Sequence, residues 1–159
     1  MYENIEPILN ALNETPRILN ELISEINSGL YKKEIVSGKW TIHEHATHVA
    51  MSDLQGFQKR LVDFKEKEKP AFTSLSGSNF HSNYYLNLNL EKTVEDFFKV
   101  RQQTIDFALS LTDKDWNKEA IHSEYEKYTP NIMLRHLLMH DHNHLYKIED
   151  MGFGIGHVK

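Results

Sequence analysis

Apolar residues recur three and four positions apart along four long stretches of the chain, and nothing long alternates in the manner of a strand. The first stretch runs from about Ile5 to Ile26 and carries Ile8, Leu9, Leu12, Leu19, Leu22, Ile23 and Ile26. Thr15-Pro16 inside it suits an N-cap followed by proline at the first helical position, so a break or restart is expected there, and Gly29 ends the helix. The second opens at Thr41-Ile42-His43-Glu44, a capping box in which hydroxyl and carboxylate satisfy exposed amides, and continues through Ala46, Ala50, Leu54, Phe57 and Leu61 to Phe64. The third spans about Leu90 to Leu111, apolar at Val94, Phe97, Phe98, Ile105 and Ala108. The fourth starts at Thr129-Pro130, again cap and first-position proline, and runs to about Met151, where Gly152 and Gly154 stop it.

The connections decide the architecture. From about Glu66 to Asn89 the chain holds Pro70, Gly77 and several Ser and Asn residues. A link that long is unusual between packed neighbours, but a crossover along the length of a bundle requires it. Glu119 to Tyr128 reads as a short hairpin or an irregular excursion, and Gly152 to Lys159 as a frayed tail. The pattern therefore predicts an all-α fold, a four-helix bundle with a long crossover between its second and third helices. At 159 residues, one domain over 1–159 is the expected organisation.

Charge narrows the partners. Eighteen Lys and Arg against twenty-three Asp and Glu give a formal charge of −5 without a basic face, a poor match to nucleic acid or an anionic membrane. No apolar run approaches a membrane-spanning length, and Met-Tyr-Glu-Asn-Ile-Glu-Pro at the start lacks the basic and apolar regions of a signal peptide, so a cytoplasmic location is expected. With no cysteine in the chain, any metal ion must be held by His, Asp, Glu or carbonyl oxygen.

The candidate chemistry lies in the fourth helix. Arg135-His136-Leu-Leu-Met-His140-Asp141-His142-Asn-His144 places four of ten histidines within nine residues. His140 and His144 stand four apart, one turn from each other on one face, a spacing at which two imidazoles can grip one ion. A metal site needs at least a third ligand. His136 one turn before His140, and His45 one turn before His48, either replace a ligand or hydrogen-bond a ligated imidazole, or are partly exposed and inert, while His142 faces away and His43, His81, His122 and His157 fall in a helix start, loops and the tail. Two charges interrupt apolar stripes: Arg101 in the third helix and Asp141 in the fourth. Neither can be buried alone, so they are expected to meet, or one or both to point into the polar cavity holding the metal; the alternative for Arg101 is a stem along the apolar face with its guanidinium in solvent. Tyr84 and Tyr85 precede the third helix and suit core or loop packing.

Trp40 before a helix, His48 in its second turn, a mid-helix Arg101 in the third helix and His140-x-x-x-His144 followed by Ile148 resemble the DinB/YfiT-like superfamily of metal-binding four-helix bundles, over about Pro16 to Glu149. The resemblance implies a divalent ion held by His48, His140 and His144. Lys147 departs from the family, which commonly has Gln or His there. The helical geometry of His48 leaves two outcomes open, since it projects roughly 160° from the centre of the Ala46-Ala50-Leu54-Phe57-Leu61 stripe. Either the second helix is covered on two sides, with His48, Met51 and Val62 facing one of them, or His48 is on the surface.

Three imidazoles suit Zn or Ni foremost, then Fe, Co or Mn. An ion with an open position can acidify a bound water or a bound thiol, and the resemblance implies a metal-dependent hydrolase or thiol S-transferase acting on a small-molecule substrate, a low-molecular-weight thiol included. The alternative is a non-catalytic metal- or ligand-binding bundle acting in a stress response. Asp141, Glu44 and Asp53 are candidates for a general acid or base, none of them singled out. A homodimer is expected from the resemblance and from the prevalence of two-fold oligomers.

Overall fold

The computed structural model describes residues 5–74 and 83–154. Gly77, His81, His157 and most of the expected tail lie outside them. Four helical rods carry the fold. They are α1 (Ile5–Glu25), a rod made of α2 (Ile42–Ser52), a π turn at Asp53–Phe57 and α3 (Gln58–Glu66), then α4 (Leu90–Leu109) and finally α6 (Pro130–Phe153). A short α5 (Asp113–Trp116) and two-residue strands β1 (Ala71–Phe72) and β2 (Ile121–His122) fill the connections. Helices α1 and α2 each pack mainly on α4 and α6.

Caps fall where side-chain chemistry places them. Thr41 closes the capping box with Glu44, Asn89 accepts from the Lys92 amide, and Thr129 accepts from the Ile132 amide ahead of Pro130. Three expectations are corrected. Helix α1 does not break at Thr15-Pro16, because the two residues are buried and Thr15 Oγ1 bonds back to Ala11 O at 3.4 Å instead of capping. Gly152 does not stop α6, which continues to Phe153; the Cβ of any other residue there would lie 2.5 Å from the Ile26 side chain, so the glycine serves a close approach. Glu119 to Tyr128 is not simply a hairpin. Strand β2 pairs in parallel with β1 of the crossover, in register Ala71 to Ile121 and Phe72 to His122, while Ala120 bridges back to Tyr128. A parallel partner is distant in sequence, so no local pattern announces it.

The apolar core forms two clusters, and every rod contributes to both. Leu12, Phe57, Leu61, Ile105, Tyr128, Leu134 and Leu137 belong to one; Leu19, Ala46, Val49, Phe97, Leu145 and Ile148 belong to the other. Between them on each rod lies the polar layer, with Pro16 on α1, Asp53 at the π turn, Arg101 on α4 and Asp141 on α6. The π turn also resets the phase of its rod. Leu54, expected on the core stripe, is 49% exposed, while Asp53 and Phe57 are buried. Phe98, likewise expected inside, is 45% exposed, because the buried face of α4 runs through Val94, Phe97 and Arg101.

No helix among the described residues is long and apolar enough to cross a membrane.

Candidate metal centre

Helix α2 is anchored before it reaches its histidines. Its capping box sets the first turn, with the Glu44 amide donating to Thr41 Oγ1 at 3.2 Å and the Thr41 amide to Glu44 Oε2 at 2.8 Å. One turn on, Thr47 Oγ1 donates to Tyr85 O at 3.1 Å, and His43 Nε2 sits 3.0 Å from Leu88 O, so the end of the crossover is tied to the helix. Thus fixed, α2 buries Ala46, Val49 and Ala50 in the apolar core and turns His45 and His48 towards α6. The helix is covered on two sides, which resolves the open question about His48.

Helix α6 brings His140 and His144 to the same place. Ligand nitrogens of His48, His140 and His144 all lie within 4.8 Å of one another, and His48 Nε2 is 2.8 Å from His140 Nε2. Nitrogens bound at about 2.1 Å to one ion sit roughly 3 to 3.5 Å apart, so the spacing is one that a single ion can span after small ring movements. His144 is buried, the other two half-buried. His45 joins from behind, its Nδ1 2.7 Å from His144 Nδ1, which leaves His144 Nε2 to face inward. The Trp40 ring covers the group, stacked at 6.0 Å on His144 and edge-on at 4.9 Å to His48. Tyr85 closes another side, its ring 4.9 Å from His48 and its hydroxyl donating to Gln55 Oε1 at 2.8 Å, whereas Tyr84 packs against Tyr85.

Burial keeps His45, His48 and His144 neutral. It is the largest cause in each case, aided by neighbouring imidazoles, in pushing His48 down to about 3 and His144 to about 2; with Lys147 it pushes His45 to about 4. At neutral pH their lone pairs are available, as a cation requires. His48 Nδ1 is buried without a hydrogen-bond partner among the described residues.

His136 does not join the centre. Arg60 Nη1 donates to the Tyr128 oxygen at 2.7 Å, so the phenol's own proton is free to go to His136 Nδ1, 3.1 Å away. Of the two neighbouring histidines, His45 therefore supports a ligand candidate and His136 belongs to a separate aromatic cluster with Tyr125 and Phe57. His142 is exposed, as its position implied.

Beneath the histidines lies the charged layer. Arg101 and Asp141 meet as expected, with Nη2 2.7 Å from Asp141 Oδ2, an ion contact off the hydrogen-bond direction. Sequence reasoning missed the second carboxylate. Asp53 grips Arg101 bidentately, at 2.8 Å to Nε and 2.9 Å to Nη2, and also accepts from Thr104 Oγ1 at 2.6 Å. Arg101 Nη1 donates to Leu12 O at 3.1 Å, the carbonyl that the nitrogen of Pro16, lacking a hydrogen, cannot serve. The proline in α1 thus frees an acceptor for the buried guanidinium. Asp141 Oδ1 lies 3.4 Å from His140 Nδ1 and links this layer to the histidines. All three acid/base candidates are engaged structurally, Asp53 and Asp141 by Arg101 and Glu44 by its cap.

A cavity of about 670 Å³ opens beside His45 and His144, lined also by Val36, Gly38, Lys39, Trp40, Lys147, Asp150 and Met151. That size accommodates a small organic molecule.

Residues 11–148, a span that includes all three clustered histidines, match the profile of the DinB superfamily. The chain belongs to the DinB superfamily. Among solved structures it is similar to YfiT from Bacillus subtilis, described as "a probable metal-dependent hydrolase with an unusual four-helix bundle topology", at a TM-score of 0.84 and 17% identity over 98% of this chain and 90% of that one. At that identity the likeness shows a common fold. No curated protein matches the sequence. The four-helix bundle expected from the pattern is the fold observed, and the family implied by the resemblance is the one whose profile matches.

Proposed function

We propose that this DinB-superfamily chain is a metal-dependent enzyme, with His48, His140 and His144 as the ligands of one divalent ion. The observation that carries the reading is the convergence of three imidazoles within 4.8 Å, one of which, His144, lines an open cavity. The description of YfiT as a metal-dependent hydrolase supports it. A donor set of three nitrogens and no thiolate suits Zn or Ni, with Fe, Co or Mn as further candidates. Such an ion acts as a Lewis acid that lowers the pKa of a bound water, or of a bound small thiol, towards neutrality.

The protein's own groups supply orientation. His45 holds the His144 ring through Nδ1, and Asp141 lies where it can accept from His140 Nδ1–H, so that His140 presents Nε2 inward. Trp40 and Tyr85 limit water access to one side, and the cavity beside His144 receives the substrate. Hydrolysis is the primary reading. Engagement of every nearby carboxylate candidate favours a nucleophile that needs no separate protein base, which also suits transfer of a small thiol.

Protein purified without chelators or a nickel column is expected to contain one divalent ion per chain by elemental analysis. Alanine at His48, His140 or His144 should weaken metal binding about tenfold or more, through loss of a ligand. Asp141→Asn should weaken it by roughly 10- to 100-fold, as replacing a partner of a ligating imidazole does. Retention of wild-type affinity in His48→Ala but not in His140→Ala would remove His48 from the ligand set. Cobalt-substituted protein separates the chemistries: a sulfur-to-metal charge-transfer band with a small thiol, and thiol addition to an electrophile abolished by His144→Ala, would select the transferase. Ester or amide cleavage without thiol would select the hydrolase.

A further inference from the structure

Lys147 is unexplained by the ligand set, yet it stands one turn beyond His144 on α6 and lines the same cavity. Across the cavity, Gly38 takes a positive φ of 70° that a side chain would strain, and this turn delivers Lys39 and Trp40 to the wall. The lining thus carries two ammonium groups, and Asp150 is the one carboxylate among its residues. The remaining wall is apolar, from Val36, Trp40 and Met151.

Electrostatics then constrains what the cavity takes. Three uncharged imidazoles bring no negative charge to balance a divalent ion, and two ammonium groups at the mouth add to the positive field, which low-dielectric walls of indole and aliphatic carbon strengthen. A neutral substrate would leave the excess of this positive charge over Asp150 uncompensated. We propose that the cavity is a subsite for substrates bearing a carboxylate, with Lys147 and Lys39 receiving the acidic group, Trp40 packing against an apolar body, and the reacting group turned towards His144. Lys147 is then the residue that sets this chain's preference for acidic substrates. The inference rests on reading the cavity as the substrate pocket of the metal site.

The test uses the full chain, metal-free and zinc-loaded, titrated calorimetrically at pH 7.5 with phenylacetate, 3-phenylpropionate and 4-phenylbutyrate and with the corresponding amides. At least one acid is expected to bind ten times or more tightly than its amide in both forms, because the lysines act without the ion. Lys147→Met should bring that ratio below three while leaving amide affinity within twofold, and Lys39→Met should lower it to a smaller extent. Both lysines are exposed, so folding of the variants is secured and is checked by circular dichroism. Equal affinity for acids and amides, no binding of any acid at millimolar concentration, or a preference that survives both replacements would overturn the proposal. A preference present only with zinc and unchanged by the lysine variants would overturn it too, by assigning the acid to the ion. Zinc stoichiometry is measured on the same samples, so failure of the metal reading is recognised separately: an acid preference that depends on Lys147 in a chain binding no zinc would uphold the subsite and remove the ion.

Discussion

Arg101→Met is expected to destabilise the protein by roughly 3 to 5 kcal/mol, measured as a fall in the urea midpoint at unchanged slope. The guanidinium is 1% exposed and stands between two fully buried carboxylates, so its removal strands the charges of Asp53 and Asp141 and leaves Leu12 O without its donor. Desolvation opposes the charge of Arg101, but the two carboxylates prevail and hold its pKa above the ordinary value. A double-mutant cycle of Arg101→Met with Asp53→Asn should show strong coupling, and one with Asp141→Asn a smaller coupling, because the first contact is bidentate and the second misaligned. Replacing all three by apolar residues of similar volume should recover much of the loss, since the penalty comes from unpaired charge. A cost below about 1 kcal/mol for Arg101→Met would show that the layer is hydrated and that the pairing contributes little.

Acid should unfold the metal-free protein well above the carboxylate range. His45, His48, His136 and His144 have folded-state pKa values of about 4, 3, 4 and 2, against an ordinary value of 6.5, with burial the first cause in each. The sign follows from proton counts. Below pH 6.5 the unfolded chain binds a proton at each of these residues and the folded chain does not, so stability falls as pH drops from about 6.5 towards 4. Each imidazole contributes at most about 1.4 kcal/mol per pH unit in that window. Four of them together amount to several kcal/mol by pH 5 to 4.5, comparable with the whole stability of a domain this size. Melting curves in a chelator at pH 7.5, 6, 5 and 4.5 check this. A melting temperature unchanged down to pH 5 would mean that the imidazoles are not buried in neutral form.

The helices and their ends were legible because their signals are local. Thr41-x-x-Glu44 and Thr129-Pro130 satisfy backbone groups within a few residues of themselves, and the apolar spacing of α4 and α6 needs only the helical period. The pairing of Arg101 with Asp141 could be read for a related reason, as a charge on an apolar stripe demands a partner. Asp53 carried the same signal, since it continues the stripe through Ala46, Val49 and Ala50, and it was obscured by an assumed unbroken helical phase through Leu54.

By itself, then, the sequence determined an all-α bundle, its caps and the His140-x-x-x-His144 pair, all properties of residues within a turn or two of one another. Tertiary structure alone decided the rest. The π turn at Asp53–Phe57 rephases its rod, Pro16 stays inside a helix because the Leu12 carbonyl that it orphans meets Arg101, β1 finds β2 across the chain, and His48 and His45 close on α6. Apart from the π turn, which interrupts the helical period itself, each of these is a contact between segments far apart in sequence, whose energy depends on how the rods pack.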